Sequence, residues 1–508
     1  MKFGSSTGLK AAAVLLLAMI VVAAGKSVDK IRRPFPGIER MGSLLDTVRP
    51  PKGYVSQNPR TVEGRFTSRR NHFDPQDRNT FEFTYLTNDE YYREGGPLFL
   101  VVGGFYAVNP FFIEGLYFRD IAAQHGAMLA TFEHRYYGNS IPVEDYSTEN
   151  LRFLRTEQVL FDLIELVDFL KREVMNDPNA RVILHGVAQA GSLASWARQR
   201  FPNIIDGAWV SSAPVRATGA FPEYAEDFGE IIREKASDQC YDRISQAFNG
   251  AQHALDSGRT DRLSELFNTC EPLSLDNPLE VELFFFAMMI SLETAMVAEG
   301  DIDNIGRVCD RLTSDEFSTG LEALSVFLLN RYADVRECFD LSFETFVRYL
   351  TDVDIDSEAN RQLGLRQTAY QTCTEFGAFP TTNSPNQPFG NRVTYDLFLA
   401  ECQAAFGEFI TKELVYEAVR ITNLHYGGDD PRSTNVLFTN GALDPLRHVS
   451  ITYYQNLLSN ARVTPREFTA ADIVSIRDSD SEELLETKLM IAQYISTWLG
   501  PSINPIRK

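Results

Sequence analysis

A chain of 508 residues, 44% hydrophobic and 23% charged, can bury a full core and exceeds the usual size of one domain, so a large core with a substantial insertion, or two domains, is expected. This balance is ordinary for a globular protein and excludes a disordered one. The formal net charge of −21, with only short basic runs such as Arg69-Arg70, excludes a nucleic-acid partner, because phosphate binding needs clustered Lys and Arg.

The first predicted segment is a signal peptide over residues 1–24. Lys2 and Lys10 precede an apolar run from Ala11 to Ala24, and Val22-Ala23-Ala24 offers the small residues of a cleavage site. That run is about 14 residues, short of the roughly 20 a spanning helix needs. Removal of the two lysines takes the formal charge from −21 to −23. A secreted, extracellular protein is therefore expected, with the lumen of a lysosome or another endomembrane compartment as the alternative. No membrane span is predicted. Residues 25–60 form an N-terminal extension.

From 61 to 220, short apolar runs (Leu98 to Val102, Met128 to Glu133, Val182 to Leu184, Ala208 to Ser211) alternate with amphipathic stretches. Val159, Leu160, Leu163, Leu166, Val167 and Leu170 recur at helical spacing with charges between them. This is the strand–helix–strand rhythm of a parallel sheet. From 221 to 425 the rhythm gives way to long helical segments, among them Leu279 to Ala298 and Leu321 to Tyr332, which carry all six cysteines: Cys240, Cys270, Cys309, Cys338, Cys373 and Cys402. An even number in a secreted chain reads as disulfides. Their wide spacing does not suit zinc, and neither metal nor cofactor is expected. Strand-like sequence returns at Asn435 to Gly441, and a final helix is predicted over Glu482 to Leu499. The predicted fold class is thus α/β: a mostly parallel core built from residues 61–220 and 426–508, with a disulfide-bonded helical cap over 221–425 inserted between them.

The stretch "RVILHGVAQAGSLASWARQRFP" (181–202) is built as a strand, a small-residue turn and a helix. In a G-x-S-x-G turn of this kind a serine occupies a strained corner with its hydroxyl above the sheet. Here the turn reads Gly186-Val187-Ala188-Gln189-Ala190-Gly191, with no serine at the corner.

The stretches "EHRYYGNSIP" (133–142), "WVSSAPV" (209–215), "QTCTEFGAF" (371–379), "YGG" (426–428) and "LFTNGALDP" (437–445), in this order, resemble the signatures of the family of lysosomal Pro-X carboxypeptidase, dipeptidyl-peptidase II and thymus-specific serine protease. The resemblance runs from roughly residue 60 to the C-terminus and implies an α/β-hydrolase core with a helical cap. Active relatives are serine exopeptidases that favour proline beside the cleaved bond. The family reads Gly-Gly-Ser-Tyr-x-Gly at the turn, which places Ala188 where the nucleophile belongs, with Val187 and Gln189 as further departures. Asp444 matches the acid of the triad. The histidine would fall within "REFTAADIVSIRDSDSEEL" (466–484), with Thr469 at its position and Asp472 three residues on, and no histidine follows His448 in the chain. His448 is too close in sequence to Asp444 to replace it. Ser192 lies a helical turn past the corner. His134 and His185 flank strands and read as packed scaffold. Near the oxyanion hole (Gly104, Phe105 and Gln189) the family's Gly-Gly-Glu reads Gly103-Gly104-Phe105. The resemblance also implies the pairs Cys240 with Cys309, Cys270 with Cys338 and Cys373 with Cys402.

A serine triad needs a hydroxyl, an imidazole and a carboxylate, and two of the three are missing. The expectation is an inactive homologue that binds peptides or a secreted protein partner in the former cleft. A structural or storage protein and a hydrolase with a different nucleophile are the alternatives. The sequence leaves the oligomeric state open, a dimer included. No Asn-x-Ser/Thr sequon occurs anywhere in the chain, so its electrophoretic mobility is expected to be unchanged by an enzyme that removes N-glycans.

Overall fold

The structure is a computed structural model that describes residues 54–296, 303–332, 338–453 and 459–500. The segment read as a signal peptide and most of the N-terminal extension lie outside the described residues.

An eight-stranded sheet runs in the order β1-β2-β4-β3-β5-β6-β9-β10. Its strands are β1 (Thr61–Arg69), β2 (Thr80–Asn88), β3 (Leu98–Val101), β4 (Met128–Phe132), β5 (Val182–Val187), β6 (Gly207–Ser211), β9 (Val436–Gly441) and β10 (Ser459–Thr464). From β4 to β10 neighbours are parallel, while β1 pairs with β2 and β2 with β4 in antiparallel fashion. The antiparallel hairpin at the edge is absent from the sequence reading, although Phe81, Phe83 and Tyr85 alternate with polar residues at strand period.

Strand period also divides the core. Leu98, Leu100, Val182, Leu184, Ala208, Val210, Val436 and Phe438 point to one face, and Phe99, Val101, Ile183, Trp209 and Leu437 to the other. Burial on both faces explains why these strands read as continuous apolar runs. Helix α1 (Tyr117–His125) and the C-terminal α6 (Glu482–Leu499) cover the second face. Helices α2 (Thr156–Phe169) and α3 (Gln189–Arg200) cover the first. The start of α6 is set by Ser481, whose Oγ accepts the Leu484 amide at 3.1 Å, an N-cap of the usual kind. This is the α/β-hydrolase fold.

Between β6 and β9 the chain is mainly helical, beginning with α4 (Glu223–Lys235) and including α5 (Tyr395–Phe406). A short parallel pair, β7 (Thr218–Ala220) with β8 (Gly377–Phe379), lies at its base. Disulfides join Cys240 to Cys309, Cys270 to Cys338 and Cys373 to Cys402, the pairs that the resemblance implies. In the chain-entropy account each closed loop contributes roughly 3 to 4.5 kcal/mol.

Helix α5 also buries an acid. Glu401 is 5% exposed, and its Oε2 meets no partner among the described residues. Burial pushes its carboxyl from an ordinary 4.5 up to about 8. A group whose pKa is raised on folding contributes stability that is full below its unfolded value and is lost as pH rises through the folded one. Chemical denaturation is therefore expected to show a contribution that declines between about pH 4.5 and 8. Glu401→Gln should flatten that decline, and an unchanged profile in the variant would refute the assignment.

Candidate functional site

The C-terminal ends of β5, β6 and β9 meet at one point of the sheet, where open α/β sheets hold their ligands. Register places Val187 beside Ser211 and Ser211 beside Thr439. At the end of β5 the chain turns through Ala188, with φ 50° and ψ −126°, directly into α3. This lies in the left-handed half of backbone space, which costs an alanine of order 1 to 3 kcal/mol. The turn is held from both sides: Ala188 N–H donates to Ser211 O at 2.9 Å, and Ser192 N–H to Ala188 O at 3.1 Å. Tightness of the turn explains the glycine two residues earlier, because a Cβ on Gly186 would come within 2.3 Å of the Ala190 carbonyl oxygen. Val187, a branched residue, is accommodated just before the turn. It closes β5 half-buried, and the close approach falls on Gly186 instead.

Ala188 is 1% exposed and packs with Phe221, Tyr224, Leu446 and Val449. Phe221 and Tyr224 come from the start of α4, and Leu446 and Val449 from the turn after β9. The sequence reading missed this ring of apolar groups, since nothing local marks residues so far apart as neighbours.

Asp444 opens that turn as the N-cap of Pro445–Val449 and is fully buried. Its Oδ1 accepts the Leu446 amide at 3.0 Å and the Thr469 hydroxyl at 2.7 Å. Burial raises its carboxyl above the ordinary carboxylate range, although the hydroxyls of Ser212 and Thr469, the Leu446 amide and the charge of Arg447 oppose the shift. Ser212 has φ 54°, and its Oγ accepts the Ala470 amide at 2.9 Å. It thereby anchors the 469–470 loop to β6. Asp472 is buried beside it, with the Ser211 hydroxyl donating to its Oδ1 at 2.5 Å.

The histidines lie elsewhere. His185 is fully buried, stacked on Trp209 at 4.0 Å, with Nδ1–H donating to Trp209 O at 3.1 Å. Burial pushes its pKa down to about 3. His134 is likewise buried, its pKa pushed down to about 4, and its Nδ1–H donates to Arg135 O at 2.6 Å. His448 turns to Asp227 on α4, with Nε2 at 2.9 Å from Oδ1. Ser192 is fully buried inside α3. Phe105 joins the main core, stacked on Tyr137 at 5.3 Å with the edge of His134 nearby. Gly104 precedes it, and a side chain there would strike the Tyr106 ring at 2.7 Å. Gln189, the first residue of α3, is 2% exposed.

A match to serine carboxypeptidase S28 covers residues 68–491. The chain belongs to this family. Its sequence is 30% identical to the human thymus-specific serine protease over 441 residues, 84% of each chain. It is 26% identical to the mouse lysosomal Pro-X carboxypeptidase over 459 residues, 85% of this chain and 87% of the relative. Among solved structures, a peroxisomal alpha-beta-hydrolase of Saccharomyces cerevisiae aligns over 89% of this chain and 94% of its own, at 10% identity and a TM-score of 0.35. Members of the S28 family are serine peptidases by name, and the corner of this sheet carries the methyl group of Ala188.

Proposed function

We propose that this chain is a catalytically inactive S28 homologue that holds peptides over Ala188 without cleaving them. Ala188, Asp444 and Thr469 stand in place of nucleophile, acid and base. The observation that carries this reading is the 2.7 Å hydrogen bond from Thr469 Oγ1 to Asp444 Oδ1. In an active triad that carboxylate fixes an imidazole, and here a hydroxyl that cannot serve as a base at neutral pH occupies the contact. The imidazoles of His134 and His185 are buried and held neutral, and His448 is engaged by Asp227. Loss of a triad member leaves about 10³ to 10⁴ of acceleration over water, and loss of a second adds little. Such a remnant is negligible against a peptide bond.

The reading includes export through the signal peptide to the extracellular space or a lysosome-like lumen. Three disulfides with no free cysteine among the described residues suit such a compartment, and no helix among those residues is long and apolar enough to cross a membrane. Treatment of the purified protein with a fluorophosphonate probe is the test. No serine should be labelled, and stoichiometric labelling of any serine would send the search to another nucleophile.

A further inference from the structure

The corner at Ala188 is sealed in this structure, and two separate parts of the chain make the seal. Ala188 is buried under Phe221, Tyr224, Leu446 and Val449. Leu446 and Val449 belong to the turn after β9, which is tied to the segment leaving β6: Arg216 N–H donates to Val449 O at 2.9 Å and Arg216 Nη2 to His448 O at 2.8 Å. Tyr224 belongs to α4, which is tied instead to the helical stretch. Its hydroxyl donates to Glu293 Oε1 at 2.7 Å, and Glu226 on the same helix accepts the Ser384 hydroxyl. A methyl group under four apolar side chains is closed to any ligand until α4 and the turn part.

Asp227 crosses this seam from α4. Arg447 grips its carboxylate as a fork, Nη1 to Oδ2 and Nη2 to Oδ1 at 2.8 Å, and His448 Nε2 lies 2.9 Å from Oδ1. The Asp227 side chain is 5% exposed, those of Arg447 and His448 24% and 33%. The carboxylate is therefore inside the seam while its two partners stand at the rim, within reach of water. Apolar contact is non-directional, whereas a forked arginine–carboxylate pair fixes geometry as well as energy. At the far end of α4, Lys235 Nζ donates to Arg466 O at 3.4 Å, a longer tie to a single carbonyl.

We propose that Asp227 is the latch of this seam: α4 closes over Ala188 while Arg447 and His448 hold the carboxylate, and lifts from the turn, uncovering Ala188, when they release it. Without the carboxylate, the closed form is held by the apolar ring and Lys235 alone, and Arg447 and His448 turn to the water already at the rim. A site that is competent only when open binds with an affinity reduced by the open fraction, so the latch sets how tightly the corner can hold a ligand. As a gate it rests on the reading of Ala188 as the place where peptides are held, but the latch itself is measured without a peptide.

Thiol labelling with iodoacetamide under native conditions is the test. The six native cysteines are paired, so Ala188→Cys adds a single thiol at the corner, and Leu184→Cys, in the fully buried part of β5, adds one elsewhere in the core. Both should react slowly while Asp227 is intact. Asp227→Asn, which keeps shape but removes the charge, should speed labelling at position 188 by about tenfold or more, the scale of losing one partner of a buried charge pair. Labelling at position 184 should not change. A rise at both positions would make Asp227 a stabiliser of the whole fold and overturns the latch, as does no rise at 188 or rapid labelling there with Asp227 intact. If the asparagine variant fails to fold, Arg447→Lys, which keeps a charge but gives up the fork, takes its place with the same two readouts and an expected rise of about threefold. Calorimetric titration of acetyl-Ala-Pro into the Asp227→Asn protein separates the two readings. Fast labelling at 188 with no peptide bound leaves the latch and overturns the binding reading, and tighter binding than in the wild type supports both.

Discussion

Asp162→Ala is expected to destabilise the protein by about 3 to 5 kcal/mol, the range for removing one partner of a buried ion pair. The side chains of Arg135 and Asp162 are 0% and 1% exposed. Arg135 Nε donates to Asp162 Oδ2 at 2.6 Å and Nη2 to Oδ1 at 2.8 Å. The same carboxylate receives Ser68 Oγ at 2.7 Å and His72 Nε2 at 2.8 Å, and Arg135 Nη1 donates to the carbonyls of Arg70 and Phe153. One network therefore ties the end of β1, the segment after β4 and helix α2 together. Removing Asp162 would leave a guanidinium with no countercharge inside the fold, whereas the paired replacement Arg135→Met with Asp162→Leu should cost much less. Burial raises the Asp162 carboxyl, but the charge of Arg135 and the bonds from His72 and Arg135 outweigh it and hold the group below its ordinary 3.8. Its contribution is present above that value and lost as pH falls below it, opposite in sign to that of Glu401. Urea denaturation of the wild type, both single variants and the pair at neutral pH checks the ranking. A single variant as stable as the pair would refute it.

The two sides of this network differ in how far they show in sequence. Helix α2 is legible because Val159, Leu163, Leu166 and Leu170 repeat at helical spacing, and β5 because three apolar residues precede a run of small ones. The elbow was legible from its own strand, small-residue turn and helix, whereas the 469 loop was legible only through the order of motifs, as nothing in Thr469 itself speaks of a carboxylate 25 residues earlier. Contacts between distant segments stayed hidden. The pairing of Asp227 with Arg447, 220 positions apart, and the ring around Ala188 depend on how the helical stretch settles onto the sheet, which periodicity does not encode. The partner of Phe105 was hidden in the same way: it stacks on Tyr137 at 5.3 Å, 32 positions on, in a contact that burying an aromatic ring favours.

Ala188→Ser together with Thr469→His is expected to create weak peptidase activity, roughly 10² or more below an active relative, with each single substitution silent. The backbone favours the attempt. Ala188 already occupies the strained corner at φ 50°, so a serine there would carry its hydroxyl above the sheet as the elbow requires. Thr469 already reaches Asp444 at 2.7 Å, and Ser212 holds the next amide at 2.9 Å, so a histidine at 469 starts beside the carboxylate that must fix its tautomer. The supporting shell argues against full recovery. A triad works only when held within about 0.5 Å of productive placement, and no side chain here has been arranged to hold an imidazole ring where a smaller threonine now fits. The triple variant with Gln189→Tyr, restoring the family's residue, should therefore exceed the double. Turnover of a proline-containing chromogenic substrate, with a serine-directed inhibitor as control, measures all of these. Wild-type turnover at a rate typical of the family, abolished by that inhibitor, would overturn the inactive reading, since neither a methyl group nor a threonine hydroxyl can do the work of the missing pair.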